Sequence, residues 1–336
     1  MKILVLGGTR FLGRTLVEIA LAKGYEITLF NRGKTNPDLF PEVEHLKGDR
    51  EGDLNPLRGR KWDAVVDTCG YVPRIVKKSA EGLAGSVEHY TFISSINAYA
   101  DLSKPGIDEN FPLATLDDPS VEEVTGETYG PLKVLCEKEA ERAIPDRVLV
   151  LRCGLIVGPY DPSDRFTYWP VRISEGGEVL APGPSERQIQ FVDVRDLVEF
   201  ILHMVKERVG GTFNATGPAY RLTMRDFLEE CNELSGRAAR LTWVSERFVI
   251  ESDVQMPGWV PEGWVGMFAV NCNRAIAAGL SFRPFAATLQ DTLDWHATRP
   301  ADYVLKAGPD QRSEKKLLHI WHQQGKDGRQ TDESRS

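Results

Sequence analysis

Tyr129 and Lys133 stand four positions apart in the segment "ETYGPLKVLCEKEAERA". In a helix this spacing places both side chains on one face. A tyrosine with a pKa of about 10 is a poor base at neutral pH, and a neighbouring ammonium group lowers such a pKa. The pair could therefore exchange a proton with a substrate oxygen. Among nine tyrosines the same spacing also arises by chance, so the pair needs support from its surroundings.

A glycine-rich segment near the N-terminus, "GGTRFLG", follows the apolar run Ile3–Leu6 and precedes a stretch with helical spacing. Glycines between a strand and a helix let backbone N–H groups approach a pyrophosphate, and the helix N-terminus adds a positive potential. The spacing G-x-x-G-x-x-G would require glycine at position 10, where the chain has Arg10, and we expect that side chain to point outward across the phosphates. The predicted dinucleotide-binding loop consists of Gly7, Gly8, Thr9, Arg10, Phe11, Leu12 and Gly13.

The end of the second predicted strand, "LFNRGK", indicates which dinucleotide this loop would bind. A site for NAD(H) usually has Asp or Glu here to hold the ribose 2′-hydroxyl, but the chain has Asn31, Arg32 and Lys34. Arg32 and Arg10 could hold a 2′-phosphate through charge-assisted hydrogen bonds. We therefore expect NADP(H) to be preferred, with NAD(H) as the other option, and Asp49 of "KGDR" to meet the adenine. The alternative is that "NRG" is only a polar turn.

The elements that must position these residues alternate between strands and helices over the first 155 residues. Near-continuous apolar runs such as "AVVD" and "VLVLR" are typical of parallel strands covered on both faces. Strand–helix–strand alternation predicts an α/β fold with a doubly wound parallel sheet. The predicted strands are Ile3–Leu6, Glu26–Phe30, Glu44–Lys47, Ala64–Asp67, Tyr90–Ser94 and Val148–Arg152.

Two serines come at the end of the fifth predicted strand, in "TFISSINAYA". Hydroxyl groups at the carboxyl end of such a strand face the crevice in which a cofactor binds. The glycine loop, the serines and the Tyr129/Lys133 pair thus follow one another in the order that assembles a single site.

The texture of the chain changes after about residue 155, where loops become richer in Pro, Gly and Trp. We predict a Rossmann-type dinucleotide-binding domain over residues 1–155. A smaller substrate-binding lobe is predicted over residues 156–308, partly interleaved with that domain. Residues 309–336 are predicted to be helical at first and then a disordered polar tail.

Composition excludes several classes of protein. A net charge of −8 with a pI near 5.4 argues against nucleic-acid binding, which needs a basic face. Five cysteines without C-x-x-C spacing and six histidines without ligand spacing predict no metal site. The sequence has neither an apolar stretch of 18 residues nor a signal peptide, so we expect a cytoplasmic protein that does not enter membranes.

The motifs "GGTRFLG", "ISSINAYA", "YGPLK", "LRCGLIVGP" and "QFVDVRDL" resemble the extended or atypical short-chain dehydrogenases/reductases, the NAD-dependent epimerase/dehydratase family. The resemblance covers Met1 to about Thr298. The family's S-x-x-x-Y-G motif maps onto Ser95 and Tyr99. The resemblance implies that Ser95 polarises the substrate oxygen, that Tyr129 transfers the proton and that Lys133 supports both and binds the nicotinamide ribose.

Two details refine this resemblance. The glycine loop with Arg10 resembles an atypical subgroup that carries G-G-x-x-x-x-G. Sugar-nucleotide dehydratases of the family carry an Asp-Glu pair directly after the catalytic hydroxyl, where this chain has Ile96 and Asn97. The acid/base pair for water elimination is therefore missing, which disfavours a dehydratase.

Residues that could line a substrate site occur in "DPSDRFTYWP" and "SERQIQFVDVRD", where extended members of the family close over a substrate. The alternative is a surface loop with a packed tryptophan. The candidates are Asp164, Arg165, Tyr168, Trp169, Arg187 and Gln190.

These observations favour an enzyme that transfers a hydride and a proton at a carbon–oxygen centre of a sugar nucleotide or of another polar carbonyl or alcohol. Epimerisation and net reduction both begin in this way and are not distinguished by the sequence. The expected partner is a small-molecule substrate, and a homodimer is left open. The alternatives are a non-catalytic nucleotide- or RNA-binding member of the fold, since some atypical relatives resemble chloroplast stem-loop RNA-binding proteins, and a redox-sensing regulator.

Overall fold

The computed structural model describes residues 1–237 and 239–333. Short 3-10 turns occur at Asn55–Leu57, Ile96–Ala98 and Glu262–Phe268. The strands are β1 (Lys2–Leu6), β2 (Glu26–Asn31), β3 (Glu44–Lys47), β4 (Trp62–Asp67), β5 (Val87–Ser95), β6 (Val148–Cys153), β7 (Leu155–Val157), β8 (Gly177–Pro182), β9 (Gln188–Ile189), β10 (Phe191–Asp193), β11 (Gly211–Ala215), β12 (Leu222–Thr223) and β13 (Ala239–Val244). The helices are α1 (Phe11–Ala22), α2 (Pro73–Leu83), α3 (Tyr129–Ala143), α4 (Tyr168–Ser174), α5 (Val194–Glu207), α6 (Met224–Leu234), α7 (Glu246–Glu251), α8 (Asn273–Ala277), α9 (Phe285–Ala297) and α10 (Gln311–Glu333).

The central sheet has the strand order β11-β6-β5-β4-β1-β2-β3, and all neighbouring strands in it are parallel. The predicted doubly wound sheet is confirmed, and its six predicted strands are all present. A seventh strand, β11, was not predicted. Because β1 lies between β2 and β4, the chain order reverses there, and the carboxyl ends of β1 and β4 form the switch point at which such sheets bind ligands.

Alternate side chains of each central strand enter two different cores. On β1, Ile3 and Val5 pack with Leu16 of α1 and Ile201 of α5 on one face of the sheet. Leu4 and Leu6 pack on the opposite face against α2 and α3. A strand buried on both faces needs an apolar residue at every position, which explains the continuous apolar runs of the sequence.

The chain forms two units. The first, here called the sheet unit, comprises Met1–Tyr160, Gln190–Tyr220 and Gly266–Arg283. It therefore includes β10, α5, β11 and α8, which come after residue 155 in the sequence. The second unit comprises Asp161–Ile189, Arg221–Val265 and the chain from Pro284 onward.

The second unit contains a parallel pair of strands, β8 and β13, and an antiparallel pair, β9 and β12. Its core includes a cluster of three aromatic rings, from Phe166, Phe227 and Phe285. Helix α10 begins at Gln311 and ends at Glu333, so it continues into the segment predicted as a polar tail. Residues 334–336 of that predicted tail lie outside the described residues. In the part of the chain that the structure describes, no helix is long and apolar enough to cross a membrane.

Candidate active site

The glycine loop between β1 and α1 adopts a conformation that requires its glycines. Gly7 and Gly8 have φ values of +107° and +92°, a region that side chains disfavour. A Cβ atom on Gly13 would stand 2.8 Å from the backbone nitrogen of Gly8, so the first turn of α1 rests directly on the loop. A side chain at position 13 would therefore disrupt the contact between the helix and the loop.

The N-terminus of α1 has no side-chain cap. Arg10 takes the N-cap position, is exposed, and makes no side-chain capping hydrogen bond within the described chain. The first amides of a helix have no acceptor within it and bind anions readily. The loop from Gly7 to Gly13 therefore fits a dinucleotide pyrophosphate, with Arg10 free to lie across it.

Asn31 braces the glycine loop from the end of β2. Its Nδ2 donates to the Gly7 carbonyl at 2.9 Å, and its Oδ1 accepts from the Gly33 amide at 2.8 Å. These bonds hold Arg32, which is exposed, in the turn beside the loop. The side chain of Asn31 is thus bound to the backbone of the loop and of the turn, and its contact with a cofactor stays a prediction. Asp49 is exposed, and its Oδ1 accepts from the Glu51 amide at 3.1 Å.

Ser95 ends β5, and its Oγ accepts a hydrogen bond from the Asn97 amide at 3.2 Å. The first turn of α3 packs directly on this turn, because a Cβ atom on Gly130 would overlap the Asn97 carbonyl oxygen. Tyr129, the first residue of α3, is therefore held beside the turn that carries Ser95. The structure thus brings Ser95, Tyr129 and Lys133 to the side of the sheet at which the parallel strands have their carboxyl ends.

Lys133 is buried, with only 4% of its surface exposed. Its Nζ donates to the carbonyl oxygens of Gly70 at 2.7 Å and Ile93 at 2.8 Å. The rings of Tyr71, Phe92 and Tyr129 lie within 6 Å of it. Desolvation by burial lowers the pKa of Lys133, and the two carbonyls and the ring faces favour the charged form.

Helix α3 is fixed to the sheet by Glu137, which lies one turn beyond Lys133. Ser94, at the end of β5, donates its hydroxyl to Glu137. Arg152, on the neighbouring strand β6, forms a buried two-point ion pair with it, at 2.7 and 3.1 Å. The helix that carries Tyr129 and Lys133 is therefore anchored to the two strands beneath it.

A second buried ion pair fixes the end of β4. Arg50 binds both carboxylate oxygens of Asp67, at 2.7 and 2.6 Å, and the Tyr90 hydroxyl donates to the same carboxylate at 2.8 Å. Cys69 lies two residues after Asp67, and its thiol donates to the Leu6 carbonyl at 3.3 Å. The segment after β4 is thereby held against β1, next to the glycine loop.

Two of the candidate substrate residues, Asp164 and Arg187, are bound to partners in the second unit, to which they belong. Asp164 accepts from Arg299 at 2.6 Å and from the Tyr303 hydroxyl at 2.8 Å. Arg187 forms ion pairs with Glu246 and Glu262. These ion pairs join segments that are distant in sequence, and they give Asp164 and Arg187 charged partners within the protein.

The remaining candidates differ in exposure. Trp169 is fully buried and donates its Nε1 to the Pro257 carbonyl at 2.6 Å, whereas Arg165 is exposed and donates its Nε to the Ser163 hydroxyl at 3.2 Å. Tyr168 is buried, and its hydroxyl has no hydrogen-bond partner among the described residues.

Gln190 belongs to the sheet unit and binds both backbone groups of Val270, at 3.0 and 2.8 Å. A side chain that satisfies a donor and an acceptor of one buried residue fixes that segment in place. A substrate role for these six residues stays a prediction.

The chain is similar to known proteins in sequence and in fold. Residues 80–216 match the model of the NAD dependent epimerase/dehydratase family, and the matched segment contains Ser95, Tyr129 and Lys133. The predicted family resemblance is confirmed. A bovine relative, epimerase family protein SDR39U1 from Bos taurus, is 24% identical over 265 residues, which are 71% of this chain and 82% of that protein.

Two further relatives differ in what they share with the chain. Chloroplast stem-loop binding protein of 41 kDa b from Arabidopsis thaliana is 34% identical over 114 residues, 29% of this chain and 30% of that protein. UDP-glucuronic acid 4-epimerase from Bacillus cereus, solved in complex with NAD, is 16% identical, has a TM-score of 0.65 and covers 88% of this chain and 96% of its own. The chain therefore shares its fold with that epimerase, and the match over residues 80–216 supports an enzyme of the NAD-dependent epimerase or oxidoreductase type.

The sequence analysis missed three residues that shape the site. Gly130 stands in the quoted motif "YGPLK", and its role follows only from contact with Asn97. Glu137 could have been found, since it continues the four-residue spacing of Tyr129 and Lys133 on one helix face. Tyr71 follows β4 without any spacing relation to the other site residues.

Proposed function

We propose that the sheet unit catalyses hydride and proton transfer at a carbon–oxygen centre of a sugar nucleotide or of another polar carbonyl or alcohol, with Ser95, Tyr129 and Lys133 as the catalytic residues. The observation that carries this proposal is the docking of α3 on the turn after β5. It sets Tyr129 beside Ser95 and buries Lys133 under the ring of Tyr129, at the edge of the sheet that also carries the glycine loop.

The cofactor that fits the loop is a nicotinamide dinucleotide. Gly7, Gly8 and Gly13 would admit its pyrophosphate, and the open N-terminus of α1 would complement the charge. Arg10 and Arg32, both exposed beside the loop, would bind a 2′-phosphate, so we propose NADP(H) as the preferred form. When bound, the nicotinamide accepts or supplies the hydride.

Proton transfer and substrate orientation are assigned to side chains of the protein. Tyr129 gives its phenol proton to the substrate oxygen, or takes one from it, while Ser95 donates a hydrogen bond to the same oxygen. An ammonium group has three donors, and Lys133 uses two of them on the Gly70 and Ile93 carbonyls. The third can serve the tyrosine oxygen or the ribose. Ile96 and Asn97 supply no acid/base pair for water elimination, so dehydration is not proposed.

The decisive experiment is Tyr129→Phe, which removes only the phenol oxygen and keeps the ring. Single-turnover hydride transfer should fall by the ~10²–10⁴-fold that loss of a general acid or base costs, and nucleotide affinity in a titration should stay close to wild type. Tyr25→Phe is the matched control, since Tyr25 precedes β2 at the opposite edge of the sheet. Wild-type turnover in Tyr129→Phe would overturn the proposal.

Epimerisation and net oxidation or reduction would leave different cofactor behaviour. An epimerase must keep the reduced cofactor bound until the hydride returns, whereas a reductase must exchange it. The nucleotide content of freshly purified protein separates them, because retained nucleotide supports epimerisation and nucleotide lost on dilution supports net reduction.

A second candidate is the binding of stem-loop RNA, favoured by the 34% identity to the Arabidopsis protein over 114 residues. The net charge of −8 opposes it, because RNA binding depends on neutralising phosphates. Titration of the protein with a stem-loop RNA at physiological salt tests this candidate. Tight binding by a protein that shows no hydride transfer would favour it over the enzyme.

A further inference from the structure

The ammonium group of Lys133 is enclosed by three aromatic rings. Its Nζ lies 4.6 Å from the ring centroid of Tyr71, 4.9 Å from that of Phe92 and 5.9 Å from that of Tyr129. The rings come from three different parts of the sheet unit, namely the segment after β4, the strand β5 and the helix α3. Of the three, the ring of Tyr71 is the nearest to the ammonium group.

Tyr71 is fixed in this position by its own backbone. The preceding residue, Gly70, accepts a hydrogen bond from Lys133, and a Cβ atom on Gly70 would stand 2.5 Å from the Phe92 ring and 2.8 Å from Val76. The carbonyl of Gly70 and the ring of Tyr71 thus contact the same ammonium group. Tyr71 also reaches solvent, with 47% of its surface exposed.

Several titratable and charged groups face Lys133 or Tyr71 from the surrounding elements. From the end of β4 and the segment after it come Asp67 and Cys69, from α3 come Cys136 and Tyr129, from the end of β6 comes Cys153, and from the glycine loop comes Arg10. Arg50, in the loop before β4, acts on Cys136 and binds Asp67.

Most of these groups do not supply a negative charge to Lys133 at neutral pH. The carboxylate of Asp67 is bound at both oxygens by Arg50. Burial raises the pKa of both the Cys136 and the Cys153 thiol to about 12, and burial also raises that of Cys69, so the thiols are neutral. The cost of burying the ammonium group is therefore offset by carbonyl dipoles, by the faces of the aromatic rings and in part by the Asp67 carboxylate.

We propose that Tyr71 is a positioning residue of the site, whose ring keeps Lys133 protonated beneath Tyr129 and thereby sets the alkaline limit of catalysis. The proposal rests on the function proposed above, although the protonation of Lys133 can be measured independently of it. The face of the Tyr71 ring attracts the ammonium group, and the Tyr71 hydroxyl does not contribute to this effect. Replacing the ring of Tyr71 with an apolar side chain that still covers Lys133 therefore disfavours the ammonium form and lowers the pKa of Lys133.

The test compares Tyr71→Leu, which keeps an apolar cover but has no ring, with Tyr71→Phe, which keeps the ring. The pKa of Lys133 is read from the ¹³Cε shift of labelled lysine, with the resonance assigned by its loss in Lys133→Met. We expect the pKa in Tyr71→Leu to fall by about 0.5–1.5 units, the range that one cation–π contact supports. In Tyr71→Phe it should remain at the wild-type value.

The same variants are then followed in single-turnover hydride transfer as a function of pH. The alkaline limb should move to lower pH in Tyr71→Leu by the same amount and stay in place in Tyr71→Phe. An unchanged pKa in Tyr71→Leu, or an equal fall in both variants, overturns the proposal. Tyr71→Met replaces Tyr71→Leu if the latter does not fold. A shifted pKa in a protein without hydride transfer would contradict the proposed function and leave the ring effect established.

Discussion

Gly130 rests on the peptide of Asn97 so closely that no side chain fits between them. Asn97 lies in the turn that Ser95 caps, and Gly130 follows Tyr129 in the first turn of α3. One backbone contact thus joins the two segments that carry Ser95 and Tyr129, the groups proposed to reach the same substrate oxygen. A displacement of about 1 Å in such an arrangement is enough to cost a large factor in rate.

The variant Gly130→Ala should therefore harm catalysis as well as stability. The added methyl group must push α3 away from the turn, at about 1–3 kcal/mol in the free energy of unfolding. We expect single-turnover hydride transfer to fall at least about tenfold in protein that is still folded. Gly126→Ala is the control, because a Cβ atom there meets open space. Wild-type turnover in Gly130→Ala would show that Tyr129 and Ser95 need not be held together by this contact.

Gly7→Val should remove nucleotide binding from a folded protein. Valine is disfavoured at a φ of +107°, and its Cβ would stand 2.5 Å from the Thr68 hydroxyl oxygen, so the loop must rearrange. Gly24→Val is the matched control. Gly24 also has a positive φ, of +76°, but no atom within 4 Å of the added Cβ and no place in the loop. Circular dichroism and nucleotide titration of both variants make the comparison, and nucleotide binding by Gly7→Val would contradict the assigned loop.

The choice between the two dinucleotides is tested by Arg32→Ala. If Arg32 binds the 2′-phosphate, NADP(H) affinity should fall by about 1.5–3 kcal/mol, the worth of a hydrogen bond to a charged group, while NAD(H) affinity changes little. Lys34→Ala removes the same charge from the same turn and should have a smaller effect. Equal losses for both nucleotides, or a wild-type preference for NAD(H), would show that the "NRG" turn does not read the phosphate.

The strands of the sheet were predictable because burial on both faces forces an apolar residue at every position. Strand β11 escaped prediction because "GTFNA" begins with glycine and is too short to show a period. The return of residues 190–220 and 266–283 to the sheet unit depends on contacts between distant segments, which local patterns do not record.

The site was predictable where chemistry requires a fixed spacing and not where it requires only proximity. Tyr129 and Lys133 follow from helical spacing, and Ser95 followed from family resemblance. The expected contact between Asn31 and the cofactor stays a prediction, and the amide of Asn31 is also bound to Gly7 and Gly33, a use that the residue type alone does not reveal. Tyr71 meets Lys133 only through the adjacency of β4 and β5 in the sheet.

Burial of Lys133 also predicts how stability depends on pH. Burial lowers its pKa from the ordinary value of 10.5, so the cost of the buried charge is fully present below the lowered pKa. As the pH rises from that value towards 10.5, the unfolded chain keeps a proton that the folded protein has released, and the folded state gains stability.

We expect the free energy of unfolding of wild type minus that of Lys133→Met to rise across this window, by up to about 1.4 kcal/mol for each unit by which the pKa is lowered. At lower pH the difference should be constant, set by the ammonium cost and by the Gly70 and Ile93 carbonyls that methionine cannot satisfy. Urea unfolding of both proteins between pH 7 and pH 10.5 measures it, with Lys61→Met, an exposed lysine, as the control. A difference that falls with pH would mean that the fold holds Lys133 more strongly as a cation than water does.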